Sequence, residues 1–137
     1  MKIFIAGHRG MVGSSVLRKF KKEKFGKIII KDKKNLNLLN PVVVNKFIKK
    51  TKPNVIINCA GRVGGILANS NYPTEFLNEN ILIQFNLINS AYKNGVDNFI
   101  NLGSSCIYPK MSTIPIKEDS LLTKPLEETN QWYALAK

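Results

Sequence analysis

Three glycines spaced three apart, Gly7, Gly10 and Gly13, lie between the apolar run KIFIA (2–6) and a stretch of helical periodicity that begins at Met11. No other feature restricts the fold of this chain as much. A short buried strand must turn sharply into a helix here. The first glycine permits the tight turn, the second lets backbone approach a pyrophosphate, and the third lets the helix pack closely on the strand. The start of the helix adds unpaired N–H groups and a partial positive charge, both suited to phosphate. No Gly-Lys-Ser/Thr follows, which argues against a P-loop nucleotidase.

The rest of the pattern alternates. Met11, Val12, Val16, Leu17 and Phe20 recur at helical spacing, with lysines on the other face, and predict a helix over 11–24 stopped by Gly26. KIIIK (27–31) reads as a second strand, and 36–38 as a very short third one. Asn40 caps a helix with Pro41 at its first position, running to about Lys50 and closed off by Pro53. VIINCA (55–60) is a continuous apolar strand, as expected when both faces are buried. After a glycine-containing loop (61–65), one long helix spans Pro73 to Lys93 and ends at Asn94-Gly95. A strand follows at 97–103, then an irregular loop at 108–128 with three prolines, then a helix capped by Thr129 or Asn130 that runs to Lys137. Strands alternating with helices predict an α/β fold, a Rossmann-type doubly wound parallel sheet in the order 3-2-1-4-5 with a vestigial third strand.

Composition narrows the partners. With 44% hydrophobic residues among 137, the chain can build a core and is not disordered. Its apolar runs, such as Ile28–Ile30, are too short to span a bilayer, and Met1 leads straight into the first strand without a secretory leader pattern. Two cysteines make no disulfide framework, so a cytoplasmic location is expected. The formal charge of +12 is uneven: residues 1–52 carry 15 basic and 2 acidic side chains. Such a patch attracts polyanions. Yet 18 of the 21 basic residues are lysine, the mark of lysine-rich coding, and arginine, the bidentate reader of phosphate, is scarce. The expectation is no nucleic-acid and no membrane partner, with the charge serving a phosphate-rich small ligand.

The end of the second strand discriminates that ligand. An acidic side chain there bonds ribose hydroxyls, and a basic setting accepts a 2′-phosphate. Lys31-Asp32-Lys33-Lys34, with Arg9 in the glycine loop, favours NADP(H), while Asp32 leaves NAD(H) open. His8, the one histidine, reads as a loop residue without chemistry. A second cluster, Gly103-Ser104-Ser105-Cys106-Ile107-Tyr108-Pro109, follows a strand and so lies at the carboxyl end of the sheet, where open α/β folds bind ligands. Tyr133 and Lys137 stand four apart, on one helix face. An ammonium one turn from a phenol suits that phenol for proton transfer, and a serine hydroxyl would hold a substrate carbonyl beside it. Cys59 reads as a small buried hydrophobe and Trp132 as packing. No metal-ligand pattern is present.

These segments together, FIAGHRGMVGS (4–14), LNLL (36–39), RVGGI (62–66), NYPTEF (71–76) and LGSSCIYPK (102–110), resemble the extended short-chain dehydrogenase/reductase family, and within it the enzymes that epimerise and reduce a GDP-4-keto-6-deoxy sugar. The resemblance implies an NADPH-dependent oxidoreductase and isomerase of nucleotide-sugar biosynthesis, converting GDP-4-keto-6-deoxy-D-mannose to GDP-L-fucose. The alternatives are another NAD(P)-dependent nucleotide-sugar epimerase/dehydratase and a non-catalytic dinucleotide-binding module. It also implies roles. Ser104, Tyr133 and Lys137 match the catalytic triad, with Tyr133 protonating the C4 oxygen and Lys137 binding the nicotinamide ribose. Cys106 matches an acid/base for epimerisation at C3 and C5. Gly7, Gly10, Met11, Val12 and Gly13 match the pyrophosphate loop, with Arg9 near the NADP phosphate (where the charge at the strand end also places Lys31), Leu38 and Leu39 the adenine side, and Ala60, Gly61 and Gly64 the strand loop beside the cofactor. The helix 73–93 packs in the core and serves a homodimer interface in this family. The resemblance reaches only the N-terminal part of such an enzyme. It therefore implies that 1–137 is an incomplete dinucleotide-binding domain, a fragment without its substrate domain and inactive alone.

Overall fold

The computed structural model describes residues 1–137. Four parallel strands form one sheet: β1 (Lys2–Ala6), β2 (Lys27–Ile29), β3 (Val55–Asn58) and β4 (Asn98–Asn101), in the spatial order β2-β1-β3-β4. Ile3 pairs with both Ile28 and Val55, and Ile57 with Ile100. The helices are α1 (Met11–Lys22), α2 (Pro41–Thr51), α3 (Ile66–Asn71), α4 (Pro73–Lys93) and α5 (Gln131–Ala136), with 3₁₀ turns at Ser105–Ile107 and Glu118–Ser120. The chain divides into two compact units, Met1–Gly61 with Leu82–Leu102, and Arg62–Ile81 with Gly103–Lys137, and α4 is continuous through both.

The first unit shows why the sheet is doubly wound. Alternate residues of a strand point to opposite faces. Phe4 and Ala6 therefore enter a cluster with Leu36, Val44, Ile48, Ile56, Ile83, Leu87, Ala91 and Val96, contributed largely by α2 and α4. Ile3 and Ile5 enter a second cluster with Ile57, against which Val16, Leu17 and Phe20 of α1 pack. Each fully buried Ile or Phe is worth about 1.5–3 kcal/mol of transfer free energy, so β1, buried on both faces, anchors the unit. Phe4 and Phe47 meet edge to face at 4.9 Å between centroids.

The expected third strand does not form. Asn35 and Leu36 donate backbone N–H groups to the carbonyl of Asp32, and the Asn37 carboxamide accepts from Leu39 N–H at 3.1 Å. These local bonds hold 32–39 in turns and leave no free ladder for a sheet edge. Leu36 is buried all the same and Leu38 and Leu39 are half-buried, so the apolar pattern there marks burial rather than a strand. The sheet is otherwise the expected 2-1-4-5 arrangement. Helix α1 closes earlier than expected, at Lys22 with Glu23 as its C-cap, and Lys24 and Gly26 turn the chain with positive φ.

In the second unit Phe76 is the buried centre. A methyl group on Gly64 would sit 3.0 Å from the Phe76 ring, so the glycine lets the 62–65 loop lie against it. Arg62 lies over the Phe76 and Tyr72 rings and pairs with Glu79 at 2.7 Å. Asn80 ties the same loop down, accepting from Arg62 N–H and donating to the Arg62 and Phe76 carbonyls. Helix α3 is missing from the sequence reading: its six residues, ILANSN, are too few to show a period.

Candidate functional site

The glycine loop is built as its spacing requires. Gly7 has φ +75°, and a Cβ there would stand 2.6 Å from the Ala60 amide nitrogen. A Cβ on Gly13 would collide with the Gly7 carbonyl oxygen. The loop closes on itself through Gly10 N–H to Gly7 C=O at 3.0 Å. Gly10 is the N-cap of α1, no side chain caps the helix, and its first turn holds no acidic residue. Met11 and Val12 are exposed there. An uncapped helix start, approached by backbone that a side chain would block, fits a diphosphate.

Behind the loop a buried polar chain fixes β3 and its exit. Asn58, wholly buried, accepts from the Ala60 N–H at 3.1 Å and donates to Asn101 Oδ1 at 2.8 Å. Asn101 in turn donates to Gln84 at 2.7 Å. Ala60 thus touches Gly7 on one side and is held by β3 on the other, and it joins Leu38 and Leu39 at the border of the same core cluster. Gly61 follows it, exposed. Lys31 is exposed, two residues beyond β2.

Beside the loop the structure adds a cluster the sequence did not show. Arg9 forms an ion pair with Asp32, Nη2 donating to Oδ2 at 3.0 Å while Nε lies 2.8 Å from Oδ1, an oxygen left without a hydrogen-bond partner. His8 lies in the loop as expected but is buried there, with Nε2 3.3 Å from Asp32 and Nδ1 without a partner. Only the side-chain types around 8–9 and 32 hinted at this, since a separation of 23 residues has no local signal.

The second unit holds Ser104, Cys106, Tyr133 and Lys137. Ser104 is extended, and its Oγ accepts from the Cys106 N–H at 3.3 Å, leaving the hydroxyl hydrogen to be donated. The Ser105–Ile107 turn packs on α5, which carries Tyr133. Tyr133 is half-buried, its ring edge-on to Phe76 at 6.3 Å. Lys137 is the C-cap of α5, so the helix is one residue shorter than expected. Asn130 stands at the N-cap of α5 but makes no cap bond, and instead donates Nδ2–H to Cys106 Sγ at 3.4 Å. The sequence offered Asn130 only as a cap. The 108–128 loop is pinned by Lys110 and Glu127 at 2.8 Å. This hydrogen bond raises the Lys110 ammonium and lowers the Glu127 carboxyl from their ordinary ranges. Trp132, expected to pack, is instead exposed, and lines a shallow cleft of about 290 Å³ with Asn69, Ser70, Pro73, Glu128 and Thr129. Gly64 belongs to this unit and contacts Ala68 and Phe76, so its placement is explained by packing.

Comparison with known proteins gives one consistent picture. Residues 3–137 match the family described as NAD dependent epimerase/dehydratase. The chain is 48% identical to GDP-L-fucose synthase 1 of Arabidopsis thaliana over 136 residues, 99% of this chain and 42% of that one. It is 41% identical to GDP-L-fucose synthase of Escherichia coli (strain K12), with 99% and 42% covered. Among solved structures, the GDP-mannoheptose C4 reductase MlghC from Campylobacter jejuni, determined with NADP bound, superposes with a TM-score of 0.95 at 33% identity over 99% of this chain and 43% of that one. The chain therefore spans about two-fifths of the length of these relatives.

Proposed function

The chain belongs to the NAD dependent epimerase/dehydratase family, and on that premise we propose that it serves the NADPH-dependent conversion of GDP-4-keto-6-deoxy-D-mannose to GDP-L-fucose, epimerisation at C3 and C5 followed by reduction at C4. The dinucleotide would be held by Gly7, Gly10, Met11, Val12 and Gly13 at its diphosphate, by Arg9 and Lys31 at the adenosine end, by Leu38 and Leu39 beside the adenine, and by Ala60, Gly61 and Gly64. Bound NADPH supplies the hydride. Tyr133 delivers its phenolic proton to the C4 oxygen, Ser104 donates its hydroxyl hydrogen to that oxygen, and Lys137 positions the ribose and supports Tyr133. The Cys106 thiol moves protons at C3 and C5. Residues 1–137 act as the dinucleotide-binding domain of the enzyme, in the cytoplasm, on a soluble nucleotide sugar; no helix is long and apolar enough to cross a membrane. Nucleic acid is not a partner in this reading. Helix α4 exposes Ile81, Leu82, Phe85, Ile88 and Tyr92, an apolar stripe that suits a homodimer.

The observation that carries this reading is the packing of the serine–cysteine turn on the helix that bears Tyr133. A hydroxyl and a phenol suited to protonating a C4 oxygen, beside a thiol suited to one of the two proton transfers that inversion at a neighbouring carbon needs, are carried on two packed elements. The test is calorimetric titration with NADPH, followed by absorbance at 340 nm with the GDP-4-keto sugar. Binding of NADPH is expected, and turnover by the 137-residue chain far below that of a full-length relative. No binding at millimolar NADPH would remove the reading, and binding with a different nucleotide sugar reduced instead would move it to a sister enzyme.

A further inference from the structure

Cys106 is held from two sides. Its own N–H donates to Ser104 Oγ at 3.3 Å, and its Sγ accepts Nδ2–H of Asn130 at 3.4 Å, across the contact between the 3₁₀ turn and α5. Asn130 stands at the N-cap of α5 with its main chain fixed, its N–H donating to the Glu127 carbonyl at 3.2 Å and its carbonyl accepting from the Ala134 N–H at 2.9 Å. The side chain nevertheless makes no cap bond. The backbone goes with that choice: φ −132° and ψ 15° here, against φ −99° and ψ 107° at Asn40, which does cap its helix. The other end of the carboxamide, Oδ1, is buried and has no partner.

An uncapped helix start and a buried carboxamide oxygen without a partner are both unfavourable. A bond to a neutral thiol offsets little of either, because its sulfur is a weak acceptor. A sulfur with a negative charge accepts far more strongly. We propose that Asn130 is a positioning residue for Cys106, its carboxamide aiming the sulfur and stabilising the thiolate left each time Cys106 passes its proton to a sugar carbon. The inference rests on the epimerisation reading above. In that step the S–H proton moves to the enolate carbon, whose double-bond pair forms the new C–H bond while the C4 carbonyl re-forms. The S–H pair stays on sulfur, and Nδ2–H meets the charge. With the thiol restored, a half-turn of the carboxamide brings Oδ1 to the S–H hydrogen, so one side chain serves both states.

The experiment is alkylation of the 137-residue chain by neutral iodoacetamide at one fixed pH, the rate at each cysteine read from its own peptide by mass spectrometry, for the wild type, Asn130→Asp and Asn130→Ala. Asn130→Asp keeps the shape, loses the donor and supplies a residue as good at an N-cap. It is expected to hold or raise the thermal midpoint while slowing Cys106 about tenfold, the scale of a hydrogen bond to a charged group. Asn130→Ala removes atoms from around the sulfur and so opens the thiol, and slowing there too reports the lost donor. Cys59, just past β3, is the reference and is expected to react at one rate in all three. A merely structural role would loosen the turn, lowering the midpoint and speeding Cys106 together. A Cys106 rate within about twofold of wild type, or faster, in whichever variant keeps its thermal midpoint overturns the role of Asn130 and leaves the NADPH reading intact. A wild-type chain that fails to bind NADPH in the titration above removes the epimerisation reading, and with it the role of Asn130, whatever the alkylation rates.

Discussion

A methyl group on Gly13 would run into the Gly7 carbonyl oxygen and lie 2.9 Å from the His8 Cα, all of it backbone that cannot step aside. Gly103, at the mouth of the serine–cysteine cluster, has nothing within 4 Å of such a methyl. The spacing that singled out Gly13 has no counterpart at Gly103, and the two differ entirely in what they allow. Gly13→Ala is expected to cost about 1–3 kcal/mol in urea unfolding, the usual range for overpacking, and to abolish NADPH binding. Gly103→Ala is expected to stay within about 0.5 kcal/mol of wild type. Equal midpoints for the two would mean that the close approach of α1 to the loop contributes nothing. A second contrast concerns ionisation. Glu127 is held below its ordinary value of 4.5 by Lys110, so the pair supports the 108–128 loop fully above that value and loses its effect as the pH falls through the lowered one. Lys110 is raised above 10.5, so its share is complete below that value and is lost further up. Amide hydrogen exchange in the loop, corrected for intrinsic rates, is expected to quicken on acidification below pH 4.5 at low salt. Glu127→Gln should remove that dependence.

At the level of elements, two asparagines in the same position behave differently. Asn40 caps α2, accepting from Val42 and Val43 at 3.0 and 3.1 Å, whereas Asn130 precedes α5 and turns to Cys106. Asn40→Ala is expected to cost about 1 kcal/mol in a denaturant titration, the typical price of a lost N-cap. A loss below about 0.3 kcal/mol would mean that Pro41 and packing alone fix the start of α2. Asn40 was legible because Pro41 follows it and an apolar period begins at once. Asn130 was not, because its choice between cap and thiol depends on a turn 24 residues away. The same division runs through the fold. The strands at 2–6 and 55–58, the latter two residues shorter than its apolar run, and the helices at 41 and 73 announced themselves by apolar runs, caps and prolines. Leu36 and Leu38 misled, since burial against α2 and α4 has the same apolar signature as a short strand. The buried asparagines Asn58, Asn69, Asn80 and Asn86 left no sign at all. Asn58, Asn80 and Asn86 bond partners 18 to 48 residues away that only the assembled fold supplies, while Asn69 bonds the nearby Gly64 and Gly65 carbonyls, in a chain where asparagine is common enough to look like solvent-facing composition.

The whole molecule carries +12, and 15 of its 21 basic residues lie in 1–52, around the glycine loop and α2. Charge of this density raises the local concentration of any polyanion at low salt, so weak attraction to DNA under dilute conditions says nothing about design. What separates the two readings is how the affinity dies. A site that neutralises six or more phosphates by lysine alone loses about 10³–10⁵ in affinity between 50 and 200 mM salt. NADPH brings about four negative charges on its phosphates, but the proposed cradle meets the diphosphate with backbone N–H groups at a glycine-shaped helix start, which salt does not displace as it displaces counterion-driven contacts. NADPH binding by calorimetry is therefore expected to weaken less than about tenfold between 50 and 200 mM salt, while fluorescence anisotropy of a labelled DNA duplex falls to baseline over the same range. A duplex still held more tightly than about 10⁻⁶ M at 150 mM salt would instead place nucleic acid on the lysine-rich surface, because non-specific attraction alone does not reach that affinity. The distribution of charge would then have to be explained by a groove or helix face that presents the lysines in register with phosphates. In 1–52 the basic side chains of α1 include Lys19, Lys21 and Lys22 in its last turn, and those of α2 include Lys49 and Lys50 in its own, a placement that complements the helix dipoles.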